Sequence, residues 1–147
     1  MKTSDSGVKK DVGVVISGSV EFGSSCVLQA LSRVEGDGTV LGEEVVVEDK
    51  AVVRNSQVGT RSVIGVGALV DDSVVGEGSR VGAKARVLNK SRVGSGCIIG
   101  PLVELDGVTV EDNMSVVLID GKWQAVPCNP SFMQKNAAGL RDALLSS

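Results

Sequence analysis

The chain of 147 residues contains no histidine and no tyrosine, and aromatic residues make up only 2% of it. Without histidine it lacks the side chain that most often performs acid–base chemistry near neutral pH and that most often binds zinc. We therefore expect no catalytic residue, no metal site and no cofactor, and we predict that the protein is not an enzyme. The scarcity of aromatic residues also argues against an ordinary globular core.

The chain also lacks a large excess of charge of either sign. The net charge is −3, with 15 basic residues scattered among 18 acidic ones. This distribution gives no footprint for nucleic acid or an anionic membrane. The acidic doublets Glu43-Glu44 and Asp71-Asp72 are interpreted as solvated, because adjacent side chains on a strand or corner point apart.

No apolar run approaches the ~20 residues that a membrane span needs. We therefore expect no membrane insertion and a cytoplasmic location. The three cysteines show no CxxC spacing, and Cys26 and Cys97 are predicted to pack inward rather than to bind metal or form a disulfide.

What the chain does contain is a period of six. Aliphatic residues recur at this interval in the second half, and a small residue follows the first four of them after four positions: Val75, Val81, Val87, Val93, Ile99 and Leu105, with Ser79, Ala85, Ser91 and Cys97. A six-residue period is typical of a short strand followed by a corner, and three such sides close one coil. The sequence therefore predicts an all-β fold, a left-handed parallel β-helix with a C-terminal α-helix.

The same period begins at Ile16, and its phase changes near Val40, Val53 and Val74. A change of phase inside a strand would invert its two faces, so we expect these changes at corners. The pattern predicts a flexible lead-in over residues 1–11, a β-helix of five to six coils over 12–121, a linker over 122–130 and a helix over 131–145.

The predicted helix begins at Ser131, with Gln134 as its capping-box partner. Its apolar residues Met133, Ala137, Leu140 and Leu144 form one stripe. An isolated helix of about fifteen residues is marginal in water, so this stripe should be buried on the β-helix or on another chain.

One outward side of the predicted β-helix is largely apolar. We name it the apolar strip, and it consists of Val27, Val46, Val63, Arg80 and Ile98. Glycines accompany its later members at Gly65, Gly82 and Gly100. An exposed apolar surface of this length is typical of a docking surface. We expect the C-terminal helix to lie on it and any uncovered part to bind a partner.

The end of the chain resembles the dynactin subunit 6 family in its order of elements. The resemblance rests on Val93 to Gly100, on the closing strand Val110 to Val117, and on the helix that follows. It implies a structural subunit of the dynactin pointed-end complex that binds a sister β-helix subunit and other pointed-end subunits. Such a subunit supports dynein-dependent microtubule transport and cargo binding in the cytoplasm, associated with the cytoskeleton.

Two alternatives accompany this interpretation. The first is a hexapeptide-repeat acyltransferase or a relative of the γ-class carbonic anhydrases, forming a homotrimer with active sites between subunits. The second is a bacterial β-helix that polymerises end to end. Trp123 and the predicted helix argue against polymerisation, because they would block one end of the rod.

Overall fold

The structure, a computed structural model, describes residues 8–127 as a β-helix of twenty short strands in three sheets. Through the coils, successive strands enter the three sheets in turn, and their neighbours within each sheet are parallel. Two of the sheets contain six strands, which corresponds to about six coils. The predicted left-handed parallel β-helix is therefore confirmed.

Each sheet forms one side of a triangular rod. Sheet A has, in spatial order, β1 (Lys9–Lys10), β4 (Val27–Leu28), β7 (Val46–Val47), β10 (Val63–Ile64), β13 (Arg80–Val81), β16 (Ile98–Ile99), β19 (Met114–Ile119) and β20 (Lys122–Pro127). Sheet B has β2 (Val15–Ser17), β5 (Arg33–Glu35), β8 (Val52–Arg54), β11 (Leu69–Asp71), β14 (Arg86–Leu88) and β17 (Glu104–Asp106). Sheet C has β3 (Val20–Phe22), β6 (Thr39–Leu41), β9 (Gln57–Val58), β12 (Val74–Val75), β15 (Arg92–Val93) and β18 (Thr109–Val110).

The interior is filled by the aliphatic member of each six-residue unit. Leu28, Ile64 and Ile99 stack along sheet A and are fully buried. Because strand side chains alternate between faces, each coil covers the apolar residues of the coil before it. The coils also approach closely at glycine, since a Cβ at Gly76 would lie 2.5 Å from the carbonyl carbon of Gly94.

Two strands lie in segments that were predicted to be irregular. β1, within the predicted lead-in, pairs with β4. β20, within the predicted linker, turns back at Asp120-Gly121 and pairs antiparallel with β19. The reason in both cases is that the outermost strands of a solenoid have backbone groups left to pair. The predicted helix 131–145, with Met133, Ala137, Leu140 and Leu144, lies outside the described residues.

Residues 8–127 contain no helix that is long and apolar enough to cross a membrane.

Candidate functional site: the variable corner

The corner between sheets B and C is where the six-residue period changes. The step between successive inward residues is seven from Val34 to Leu41 and five from Val53 to Val58, Val70 to Val75 and Leu105 to Val110. At the other two corners the step stays at six throughout. We name this the variable corner; it comprises Gly36–Gly38, Asn55, Asp72, Asn89–Lys90 and Gly107. The predicted phase changes near Val40, Val53 and Val74 all fall here.

The backbone of the variable corner adopts left-handed conformations. φ is 47° at Asn55, 51° at Asp72 and 65° at Lys90. Asn and Asp tolerate this region, whereas a lysine does so at some cost. Hydrogen bonds between coils hold the stack together, because Asp72 N donates to the Arg54 carbonyl at 3.0 Å and Lys90 N donates to the Asp72 carbonyl at 2.6 Å.

A shallow depression of about 230 Å³ lies at this corner. Its rim carries exposed polar groups of both charges: Asp37, Asn55, Asp72, Lys90 and Arg92. Asp37 is fixed in place, since its Oδ1 accepts a hydrogen bond of 2.8 Å from Ser19 N. The depression therefore presents carboxylate, amide, ammonium and guanidinium groups within one surface feature.

The floor of the depression is a column of buried serines. Ser73 N donates to Ser56 Oγ at 3.1 Å, and Ser73 Oγ donates to the Asp71 carbonyl at 2.9 Å. One coil further, Val108 N donates to Ser91 Oγ at 3.0 Å. Because the Ser56 and Ser91 hydroxyls accept hydrogen bonds from the backbone of the next coil, they hold the corner rigid beneath its exposed residues.

The two aspartates of the Asp71-Asp72 doublet have different environments. Asp71 lies on the outer face of sheet B and pairs with Arg54 at 3.1 Å. Within residues 8–127, no ion pair or side-chain hydrogen bond engages the carboxylate of Asp72, which lines the depression. Both carboxylates were predicted to be solvated. The concentration of phase changes at one corner was the signal that distinguishes Asp72.

The residues of the apolar strip stand in one line on the outer face of sheet A. Val27 pairs with Val46, Val46 with Val63, Val63 with Arg80, and Arg80 with Ile98. The three valines are half-buried, and Arg80 and Ile98 are exposed. The strip is on the side of the rod that does not contribute to the variable corner. Its function as a docking surface stays a prediction.

Cys26 and Cys97 are both free and buried. Burial raises the pKa of each thiol above its ordinary value. Cys97 Sγ lies 2.9 Å from the carbonyl oxygen of Glu111, and Cys26 Sγ lies 3.0 Å from that of Gly42. Both are therefore packed, protonated thiols. Over the described part of the chain, no group of three or more His, Cys, Asp or Glu residues could hold a metal ion.

Comparison with solved structures shows what class of protein has this rod. The acetyltransferase domain of PglB from Neisseria gonorrhoeae, in complex with acetyl coenzyme A, is 27% identical with a TM-score of 0.66, over 75% of this chain and 54% of that one. WeeI from Acinetobacter baumannii is 16% identical (TM-score 0.57), over 78% of this chain and 55% of that one. AntD, an N-acyltransferase from Bacillus cereus in complex with dTDP and 3-hydroxybutyryl-CoA, is 12% identical (TM-score 0.55), over 96% of this chain and 83% of that one.

WeeI and AntD show similarity of fold alone, whereas the PglB domain is also similar in sequence. The chain spans about half the length of the PglB and WeeI structures. It matches no curated protein sequence.

The period, the parallel coils in three sheets and these similarities define a hexapeptide-repeat β-helix protein. Residues 13–118 match the sequence model of one family, the GMPPB C-terminal domain, which covers most of the chain. The chain belongs to that family.

The predicted dynactin subunit is therefore wrong, and so is the expectation of a protein that is not an enzyme. The chain belongs to a different family and is similar to an acetyltransferase domain that binds acetyl coenzyme A. The final coil and closing strand that carried the resemblance follow from how a solenoid ends, so they do not distinguish one β-helix family from another. The predicted roles in dynein-dependent microtubule transport are wrong for the same reason. The missing histidine was also a poor criterion, because carboxylates can carry protons too.

Proposed function

We propose that the chain is the β-helix domain of an acyltransferase that uses an acyl-coenzyme A donor. The observation that carries this proposal is the 27% identity and TM-score of 0.66 to an acetyltransferase domain in complex with acetyl coenzyme A. The proposed site on this chain is the variable corner, because it joins a rigid backbone to a depression with groups of both charges. An amine is the proposed acyl acceptor.

The proposed reaction at the variable corner is the transfer of one acyl group from a thioester to an amine. The amine nitrogen of the acceptor attacks the thioester carbonyl carbon, a C–N bond forms, the C–S bond breaks, and coenzyme A leaves. One proton must move from the amine towards the leaving sulfur. Since the chain has no histidine, we assign the carboxylate of Asp72 as the proton acceptor. Lys90 and Arg92, on the same rim, are suited to the phosphates of the donor.

The test is an acetyl-transfer assay with acetyl coenzyme A and a panel of primary amines, in which product is followed by mass spectrometry. We expect turnover, and we expect Asp72→Asn to lower kcat by about 100-fold while the Kd for coenzyme A stays unchanged. Asn tolerates the left-handed backbone at this position, so the fold should be kept.

Asp71→Asn is the matched control, because it removes a neighbouring carboxylate that lies on the outer face of sheet B and pairs with Arg54. It should leave kcat unchanged. Equal activity of Asp72→Asn and the unmodified protein would refute the assignment of Asp72. A protein that neither binds acetyl coenzyme A nor transfers its acetyl group would refute the proposed function.

A further inference from the structure

Among residues 8–127, the outer face of sheet A differs from that of sheet B in carrying a line of mostly apolar side chains. Sheet B carries ion pairs on its outer face, with Arg33 and Glu35 at 3.5 Å and Arg54 and Asp71 at 3.1 Å. Sheet A instead carries the apolar strip, on which Ile98 is 41% exposed. Contiguous apolar surface of this kind is covered in most soluble proteins by another element.

Glycines let neighbouring coils of sheet A pack closely beside the apolar strip. A Cβ at Gly65 would lie 2.6 Å from the Val81 carbonyl oxygen, and one at Gly82 would lie 2.7 Å from that of Ile99. Gly100 continues this column, where the corresponding distance to the Val116 carbonyl oxygen is 2.9 Å. These contacts are between neighbouring coils, and Gly65 and Gly100 are buried, so this column carries no side chain beside the strip.

The end of the described chain identifies the occupant. Its last strand, β20, belongs to sheet A and ends at Pro127, next to β19 and two strands from β16. The sequence continues to Ser147 and contains the apolar stripe Met133, Ala137, Leu140 and Leu144. The segment that follows β20 therefore starts on the same side of the rod as the apolar strip.

The lengths of the segment and the strip also agree. A fifteen-residue helix over 131–145 is ~22 Å long at 1.5 Å per residue. Neighbouring strands are ~4.8 Å apart, so such a helix crosses four to five strands. Running back from β20, it would extend from Ile98 past Arg80 and Val63 to Val46. We propose that residues 131–145 form a helix that docks on the apolar strip of its own chain.

Labelling of a cysteine placed on the strip tests this proposal in the full-length protein. Val63→Cys and Leu69→Cys are a matched pair, because both are half-buried outward residues at the start of a strand, on sheets A and B respectively. Both are made with Cys128→Ser, and the native Cys26 and Cys97 are buried. We expect a soluble maleimide to react with Val63→Cys at least about tenfold more slowly than with Leu69→Cys, since about 1.4 kcal/mol of docking produces a tenfold change.

A second pair of substitutions, in the helix, shows whether the helix is responsible. Ala137 lies on the stripe and Ala138 lies away from it, so Ala137→Asp and Ala138→Asp add the same charge to different faces. Ala137→Asp should restore fast labelling of Val63→Cys, and Ala138→Asp should leave it slow. Equal effects of the two substitutions, or no protection of Val63→Cys at all, would overturn the proposal. Protection that disappears on dilution would also overturn it, and would assign the strip to a second copy of the chain. None of these readouts depends on acyl transfer.

Discussion

Ser79→Ala and Ser32→Ala are chemically identical changes at two fully buried serines, and they should have opposite effects on stability. Ser79 Oγ donates to the Gly94 carbonyl at 2.7 Å and accepts a hydrogen bond of 3.0 Å from Cys97 N. The Ser79 hydroxyl therefore links two neighbouring coils. Ser32 Oγ has no hydrogen-bond partner among the described residues.

The magnitude follows from the groups left behind. Ser79→Ala removes the partners of a buried N–H and of a partly buried carbonyl, and each unsatisfied buried group costs ~1–3 kcal/mol. Because carbonyl oxygens tolerate this better than N–H groups, we expect a total loss of about 2–4 kcal/mol. Ser32→Ala leaves no group unpaired and removes a desolvated hydroxyl, so it should change stability by 0 to about 1 kcal/mol in the stabilising direction. Ala51, Ala68 and Ala85 fill the equivalent position in the following coils.

Equilibrium urea denaturation followed by far-UV circular dichroism measures both changes. Fluorescence of Trp123, the single tryptophan, provides a second probe for two-state unfolding, which solenoids do not always show. The reasoning is refuted if the two variants are destabilised equally, because buried serines would then act through their volume rather than through their hydrogen bonds.

Two further predictions concern the core. Val87 is fully buried, whereas Arg86 beside it is exposed. Val87→Asp should therefore lower the free energy of unfolding by several kcal/mol (~3–5), and Arg86→Asp should lower it by under about 0.5 kcal/mol. Similar melting temperatures for the two variants would show that the strand register is wrong. Burial raises the pKa of the Cys26 and Cys97 thiols above their ordinary value, so unfolded thiols ionise first as pH rises, and stability should fall above about pH 8.5, the pKa of a free thiol. This decline should be smaller in the double variant Cys26→Ala/Cys97→Ala than in the unmodified protein. The prediction is contradicted if, between pH 8 and 10, the change in urea midpoint relative to pH 7 is the same for both proteins.

The functional prediction failed where the fold prediction succeeded, and the reason is physical. A period of six constrains what points inward, and every coil of every hexapeptide-repeat protein needs the same interior. The residues proposed to act in function, Asp72 and Lys90, are exposed, and the period leaves such outward positions unconstrained. Their proximity arises only when coils 17 or 18 residues apart are stacked, as the hydrogen bond from Lys90 N to the Asp72 carbonyl shows.

The sequence by itself determined the β-helix, the inward positions of Val81, Val87 and Val93, and the register of the apolar strip. These follow from local alternation and from a repeat that each coil obeys alone. Only the tertiary structure decided that Asp71 is paired while Asp72 faces a depression, and that the Ser79 hydroxyl links two coils while the Ser32 hydroxyl has no hydrogen-bond partner among the described residues. These distinctions depend on which atoms meet across coils, and a one-dimensional period does not contain that information.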